Sequence, residues 1–441
     1  MPSPRREEQD GHIPVHWLDR ELPPTRWERW DRQWLNLPAA LLMALVVVVV
    51  VLPAPSIPRP SVSVPDTGIS LARDSNDEDD DEAEGVPEEP QLAAVTQPAT
   101  PPPTVAGPGP QKEMATRSAS AIPELATLSQ VRPNELGGVP IIMYHAFVHD
   151  IASTDEWTLT FDQFREQLDW FRENDFVMVG MQSMIDGRFD VPAGKRPIIL
   201  TFDDSSAGQF GLQEAPGGGY EVKPDTAVGV LEEYARQYPE FAGPAFFAVL
   251  PWNCFESEGD PSSCEERLNW LIDHGYEVGN HTYDHVDMTD VSSEFFAESI
   301  GSMKQWINER IPQGPGNLSD VLVMPFGAFP DRDLHPDQRS WLAEGFWYMG
   351  EPVNLDLVLA VNGGPAFSPY SVSFYPAETF RIASEPGVLG YWQEQITSGE
   401  SLIFESDGDP DTVTVPASYQ DAVDTEKLQS KGLELRVYAD E

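Results

Sequence analysis

Residues 37–54 read LPAALLMALVVVVVVLPA, a stretch without a single charge and apolar on every side. A helix needs about 20 apolar residues to cross a hydrocarbon core. The stretch is slightly short, and Trp30 and Trp34 would extend it into the interface, where indoles sit. Valine has modest helix propensity, but lipid forces the backbone to satisfy its own hydrogen bonds. A buried core helix would be amphipathic instead. A cleavable leader would be shorter, with Ala54 as its possible cleavage position. Arg5, Arg6, Arg20, Arg26, Arg29 and Arg32 precede the span and few basic residues follow it. That asymmetry puts residues 1–36 in the cytoplasm and everything from Pro55 onward outside. The expectation is a single-pass membrane anchor, with release by cleavage as the alternative.

Residues 55–130 are rich in Pro, Ala, Thr and Ser and carry the acidic run DSNDEDDDEAE at 74–84. So few large apolar side chains cannot offset the entropy of ordering, so this reads as a disordered spacer. The acidic run reads as solvated spacer rather than a calcium site. The formal charge of the whole chain is −46, which repels phosphate backbones and excludes nucleic acid as a partner.

Residues 131–441 have a different rhythm, short apolar runs alternating with helical patterns, as in an α/β domain. VPIIMY at 139–144, PIILTF at 197–202, PAFFAVL at 244–250, VLVMPF at 321–326 and SLIFE at 401–405 read as strands. Phe161, Phe164, Leu168 and Phe171 recur at helical spacing, with Thr160 and Gln163 placed as a capping box. Further helices are expected near 226–238, near 265–274, and through Phe296, Ile300, Met303 and Ile307. Repeated strand–helix units of this length suggest a barrel, whose chemistry gathers at the C-terminal ends of its strands.

Asp203 and Asp204 directly follow PIILTF, where a barrel places reactive groups; turn formation or helix capping is the bland reading. In GYEVGNHTYDH at 275–285, His281 and His285 are four apart. One helical turn or a compact loop would aim both imidazoles at one ion. Two His and one Asp leave open coordination positions, the requirement for a catalytic rather than a structural zinc.

IILTFDD and GNHTYDH resemble the first two motifs of the polysaccharide deacetylases, the NodB-homology esterases, and MPFG at 324–327 resembles the third. The resemblance runs from about 139 to 413. It implies a distorted (β/α) barrel that removes acetyl groups from an acetylated polysaccharide with a divalent metal, zinc being the expected ion. By position, Asp203 would be the general base, and Asp204, His281 and His285 the metal ligands. The N–H of Phe326 is the candidate oxyanion donor.

Three positions depart from the pattern. Ser205 replaces the usual glycine after the Asp pair, and Val323 stands where an arginine orients the base. Arg381 is the candidate replacement from another strand, with a surface ion pair as its alternative. SLIFES lacks the usual general-acid histidine; Glu405, Ser406 and Asp407 stand near its place. The first strand ends in Tyr144 and His145, expected to line the pocket, and His145 is the candidate acid. Trp252, Trp347 and Trp392 read as core before they read as a sugar platform. Asp407, Asp409 and Asp411 read as a turn rather than a calcium site. Cys254 and Cys264 are either a local disulfide or two free thiols. A glycan-binding relative without turnover is the competing function.

Overall fold

Arg196–Phe202 is the strand about which the domain is built, and six of its seven residues are buried. Such a continuous apolar run is what a parallel strand covered on both faces requires. The structure, a computed structural model, describes residues 131–440 apart from 154, 257 and 258. The segment 1–36, the expected anchor 37–54 and the expected spacer 55–130 therefore lie outside the described residues. Among the described residues no helix is long and apolar enough to cross a membrane.

Eight strands form one parallel sheet: β1 (Ile141–Tyr144), β2 (Phe176–Met178), β3 (Arg196–Phe202), β4 (Phe246–Val249), β5 (Glu277–Asn280), β6 (Asn317–Val323), β7 (Leu357–Leu359) and β8 (Ile382–Ala383). Their order is β7-β6-β5-β4-β3-β1-β8, with β2 also pairing with β3. The sheet curls far enough for one segment to touch both edges. Thr379 bridges Leu359 of β7, and three residues later Ile382 pairs with Ile142 of β1. This is a distorted barrel joined by a short, irregular last strand.

Side-chain parity divides the sheet's two faces. Ile198, Leu200 and Phe202 pack in one cluster with the helices α1 (Phe161–Glu173), α2 (Ala227–Gln237) and α3 (Cys264–Asp273). Ile199 points the other way and joins Ile141, Ala248, Val323 and Leu359 in a second cluster. The capping box of α1 forms as read, Thr160 accepting from Gln163 N–H and Gln163 from Thr160 N–H. The helix containing Phe296 to Ile307 is α4 (Ser293–Arg310), capped by Ser292.

SLIFE at 401–405 is not a barrel strand. It makes single bridges of opposite sense, Ile403 to Gly138 in parallel and Glu405 to Asn134 antiparallel, and such pairing cannot propagate as a ladder. Ser406 N–H donates to Lys195 and Gly194 N–H to Ser406, so this segment meets β3 at its first residue, Arg196.

Candidate active site

Asp203 extends the parity of Ile199 and Thr201, so its carboxylate enters the barrel mouth while its N–H still bonds the carbonyl of Tyr144. There it meets Arg381. The two guanidinium NH2 groups donate to the two carboxylate oxygens, each at 2.8 Å, and both side chains are buried. Arg381 Nε donates to the carbonyl of Ala360 at 2.7 Å, and Nη1 also reaches Thr201 Oγ1 at 3.1 Å. Arg381 lies between Thr379 and Ile382, so the segment that joins the sheet's edges delivers this charge. It is fully enclosed, which removes the surface ion-pair alternative.

At Asp204 the backbone turns left-handed (φ 72°), which breaks strand parity and brings a second carboxylate to the same mouth. His281 and His285 lie in a compact loop after β5 rather than on a helix. Thr282 N–H donates to Asn280 Oδ1, and His285 N–H to Thr282 Oγ1, which folds the loop back on itself. Both imidazole Nε2 atoms are 3.1 Å from the same Asp204 oxygen. The three ligand atoms lie within 4.8 Å of one another, the one such grouping among the described residues. His281 Nδ1 is 3.0 Å from the Val323 carbonyl. With a proton held there, Nε2 is the nitrogen left to bind an ion when one is present, the way metal-binding histidines are oriented. The donor set therefore fits a divalent ion with open positions.

Burial alone would raise the Asp203 carboxyl, but the Arg381 guanidinium and His281 outweigh it and hold the group below the usual range. Burial likewise opposes ionisation of Asp204, and hydrogen bonds from His281 and His285 hold it far below. Burial pulls His281 down, yet the Asp204 hydrogen bond and the nearby carboxylates lift it overall. For His145 burial wins, and the Asp203 and Asp204 charges only partly offset the fall.

His145 Nε2 is 3.7 Å from Asp203 Oδ2, and its ring meets Trp157 edge-on with centroids 4.9 Å apart. Tyr144 does not line the mouth. Parity turns it outward into the core, stacked on Phe202 at 5.2 Å. Phe326 sits in a tight turn at φ 58°, with its exposed ring 4.7 Å from that of His285. Glu405, Ser406 and Asp407 do not stand by Asp203. Glu405 pairs with Arg196 at 3.6 Å, at the start of β3 and thus roughly 20 Å of strand away. Asp407 is buried there against Thr412 and Thr414, and the Asp409 and Asp411 N–H groups close turns as read. Trp392 is buried, whereas Trp252 and Trp347 are exposed.

Sequence reasoning missed three contributors: Trp157 beside His145, the Val323 carbonyl on His281, and Thr201 beneath Arg381. Strand parity was a readable signal for Thr201 alone; the other two depend on contacts between distant segments.

Residues 190–335 match the family described as polysaccharide deacetylase, a span that contains Asp203, Asp204, His281, His285 and Phe326. Among solved structures, a Streptococcus pyogenes deacetylase in complex with acetate is 18% identical (TM-score 0.42), with 59% of this chain and 97% of that one covered. A polysaccharide deacetylase from Bacillus cereus is 16% identical (TM-score 0.41), with coverage of 59% and 68%. A de-N-acetylase from Aggregatibacter actinomycetemcomitans is 15% identical (TM-score 0.38), with coverage of 58% and 99%. No curated protein matches the sequence.

Proposed function

We propose, from the match of residues 190–335 to the polysaccharide deacetylase family, that the chain hydrolyses acetyl groups on an extracytoplasmic polysaccharide with a divalent ion, zinc, at Asp204, His281 and His285. The observation that carries the reading is the juxtaposition of an arginine-locked carboxylate, Asp203, with that three-ligand cluster. A glycan-binding module has little use for a buried base beside its metal.

When bound, the ion would polarise the acetyl carbonyl and acidify the attacking water. Asp203 takes the proton that water loses as it adds to the carbonyl carbon. The Arg381 fork occupies one position on each Asp203 oxygen, and a carboxylate has about four acceptor positions, so proton acceptance remains open. The oxyanion that forms is held in part by the N–H of Phe326, a residue in a tight turn whose ring lies 4.7 Å from that of His285. His145 protonates the leaving nitrogen as the carbon–nitrogen bond breaks, which frees an amine on the sugar and acetate. Its place beside Asp203 supports that role in a chain without the late histidine. Location outside the membrane rests on the span 37–54 and is supported by the Cys254–Cys264 disulfide, a bond that persists in oxidising compartments.

The test is acetate release from a panel of N- and O-acetylated glycans, with chelation, zinc re-addition and an Asp203→Asn control. Release that needs zinc and Asp203 is expected. Release unaffected by Asp203→Asn would overturn the mechanism, and glycan binding without release would identify a non-catalytic binder.

A further inference from the structure

Asp204 and Ser205 are consecutive non-glycine residues in the left-handed region, at φ 72° and 47°. Each such residue is strained and persists only where its surroundings over-determine it. Here the surroundings are residues 250–256, which follow β4. Asn253 Nδ2 donates to the Asp204 carbonyl at 2.8 Å. Phe255 N–H donates to the Ser205 carbonyl at 2.6 Å, and Leu250 N–H to Ser205 Oγ at 3.0 Å. Ser205, standing where the resemblance expects glycine, thus uses its hydroxyl to grip the segment that restrains it.

That segment is itself fastened. Cys254 is disulfide-bonded to Cys264 at the first turn of α3, and Arg267 Nε donates to the Cys254 carbonyl at 2.9 Å. The neighbouring Phe255 ring is fully buried against Phe210 and Phe247. Cys254 and Phe255 are also left-handed, so the segment needs these fastenings to keep its shape.

We infer that residues 250–256, stapled by Cys254–Cys264, are a positioning brace for the metal ligand Asp204, so that metal affinity depends on the oxidised disulfide. The inference rests on the metal-site reading of Asp204, His281 and His285. The Asp204 carboxylate must place one oxygen 3.1 Å from two imidazoles on another loop, and its backbone is held there through its own carbonyl and that of Ser205. Slackening the brace leaves the ligand chemically intact but displaced. Loss of a partner that orients a ligand costs about 10- to 100-fold in metal affinity.

The test measures zinc dissociation constants by competition with a chelating dye for four samples: the oxidised wild type, the reduced wild type, Cys254→Ser/Cys264→Ser, and Asn253→Ala. Visible spectra of the cobalt-loaded proteins report ligand geometry, and thermal midpoints of the metal-free proteins report folding. Zinc binding is expected to weaken about tenfold or more in the last three samples, with an altered cobalt spectrum. Asn253→Ala retains the disulfide and decides the matter if the cysteine variant fails to fold. Zinc affinities within twofold of the oxidised wild type in a folded disulfide-free sample would overturn the dependence on the disulfide, and the same result in Asn253→Ala would overturn the brace, either one leaving the metal site standing. A wild type that takes up no zinc would overturn both.

Discussion

Replacing Arg381 by methionine removes a buried positive charge and keeps most of the side-chain volume. The variant leaves Asp203 ionised and enclosed, without either of its 2.8 Å donors, and strips the Ala360 carbonyl of its partner. Two unit charges about 4 Å apart interact by roughly 4 kcal/mol at an effective dielectric near 20. Removing one partner of a buried pair typically costs about 3–5 kcal/mol, so a loss of that size is expected in urea unfolding of the metal-free protein at about pH 7. Asp203→Asn in the same background removes the stranded charge, so the double variant should lose at least about 2 kcal/mol less than the two single losses combined. The sign with pH follows from the same pair. In the wild type Asp203 lies below its unfolded value, so its contribution is present above that value and is lost as pH falls through the folded one. In Arg381→Met burial is opposed by less positive charge, the carboxyl rises, and acid no longer removes a favourable contribution. The stability gap between the two proteins should therefore narrow toward acid pH. A loss under about 1 kcal/mol, additive with Asp203→Asn, would refute Arg381 as the enclosed counter-charge.

His145→Ala should lower kcat at saturating zinc about a hundredfold or more, with zinc affinity unchanged, and unaltered turnover would remove His145 as the proton donor. Glu277 accepts the N–H groups of Met181 and Gln182, yet burial pushes it up from 4.5 to about 7. Its raised value means a favourable contribution below 4.5 that is lost as pH rises through about 7, on the order of 3 kcal/mol in all. Glu277→Gln should flatten that part of the stability–pH curve, and a curve of unchanged slope would exclude Glu277 as its source. Gly137→Ala would drive a Cβ into the backbone of Ile403 and Phe404, so a loss of about 1–3 kcal/mol in urea unfolding is expected, and a neutral result would show that the 401–405 segment yields.

The local features were legible because each depends on neighbours in sequence. The Thr160–Gln163 box, the buried run of β3 and the four-residue spacing of His281 and His285 follow from backbone period and side-chain reach. The sequence also places Asp203 at a strand end and supplies cysteines ten apart, near enough to bond. Tertiary structure decided what completes the site. Arg381 reaches Asp203 across 178 residues because a short segment joins the two edges of the curled sheet. That closure has no local periodicity to announce it. The Val323 carbonyl orients His281 through the backbone, which no residue pattern can show. Glu405 and Asp407 look like neighbours of the site along the family's motif order, but their segment approaches the starting end of β3, on the far side of the strand from the chemistry. The sequence by itself marked the residues proposed to hold a metal and a base; only the packing of distant segments decided which charge meets that carboxylate and which histidine stands beside it.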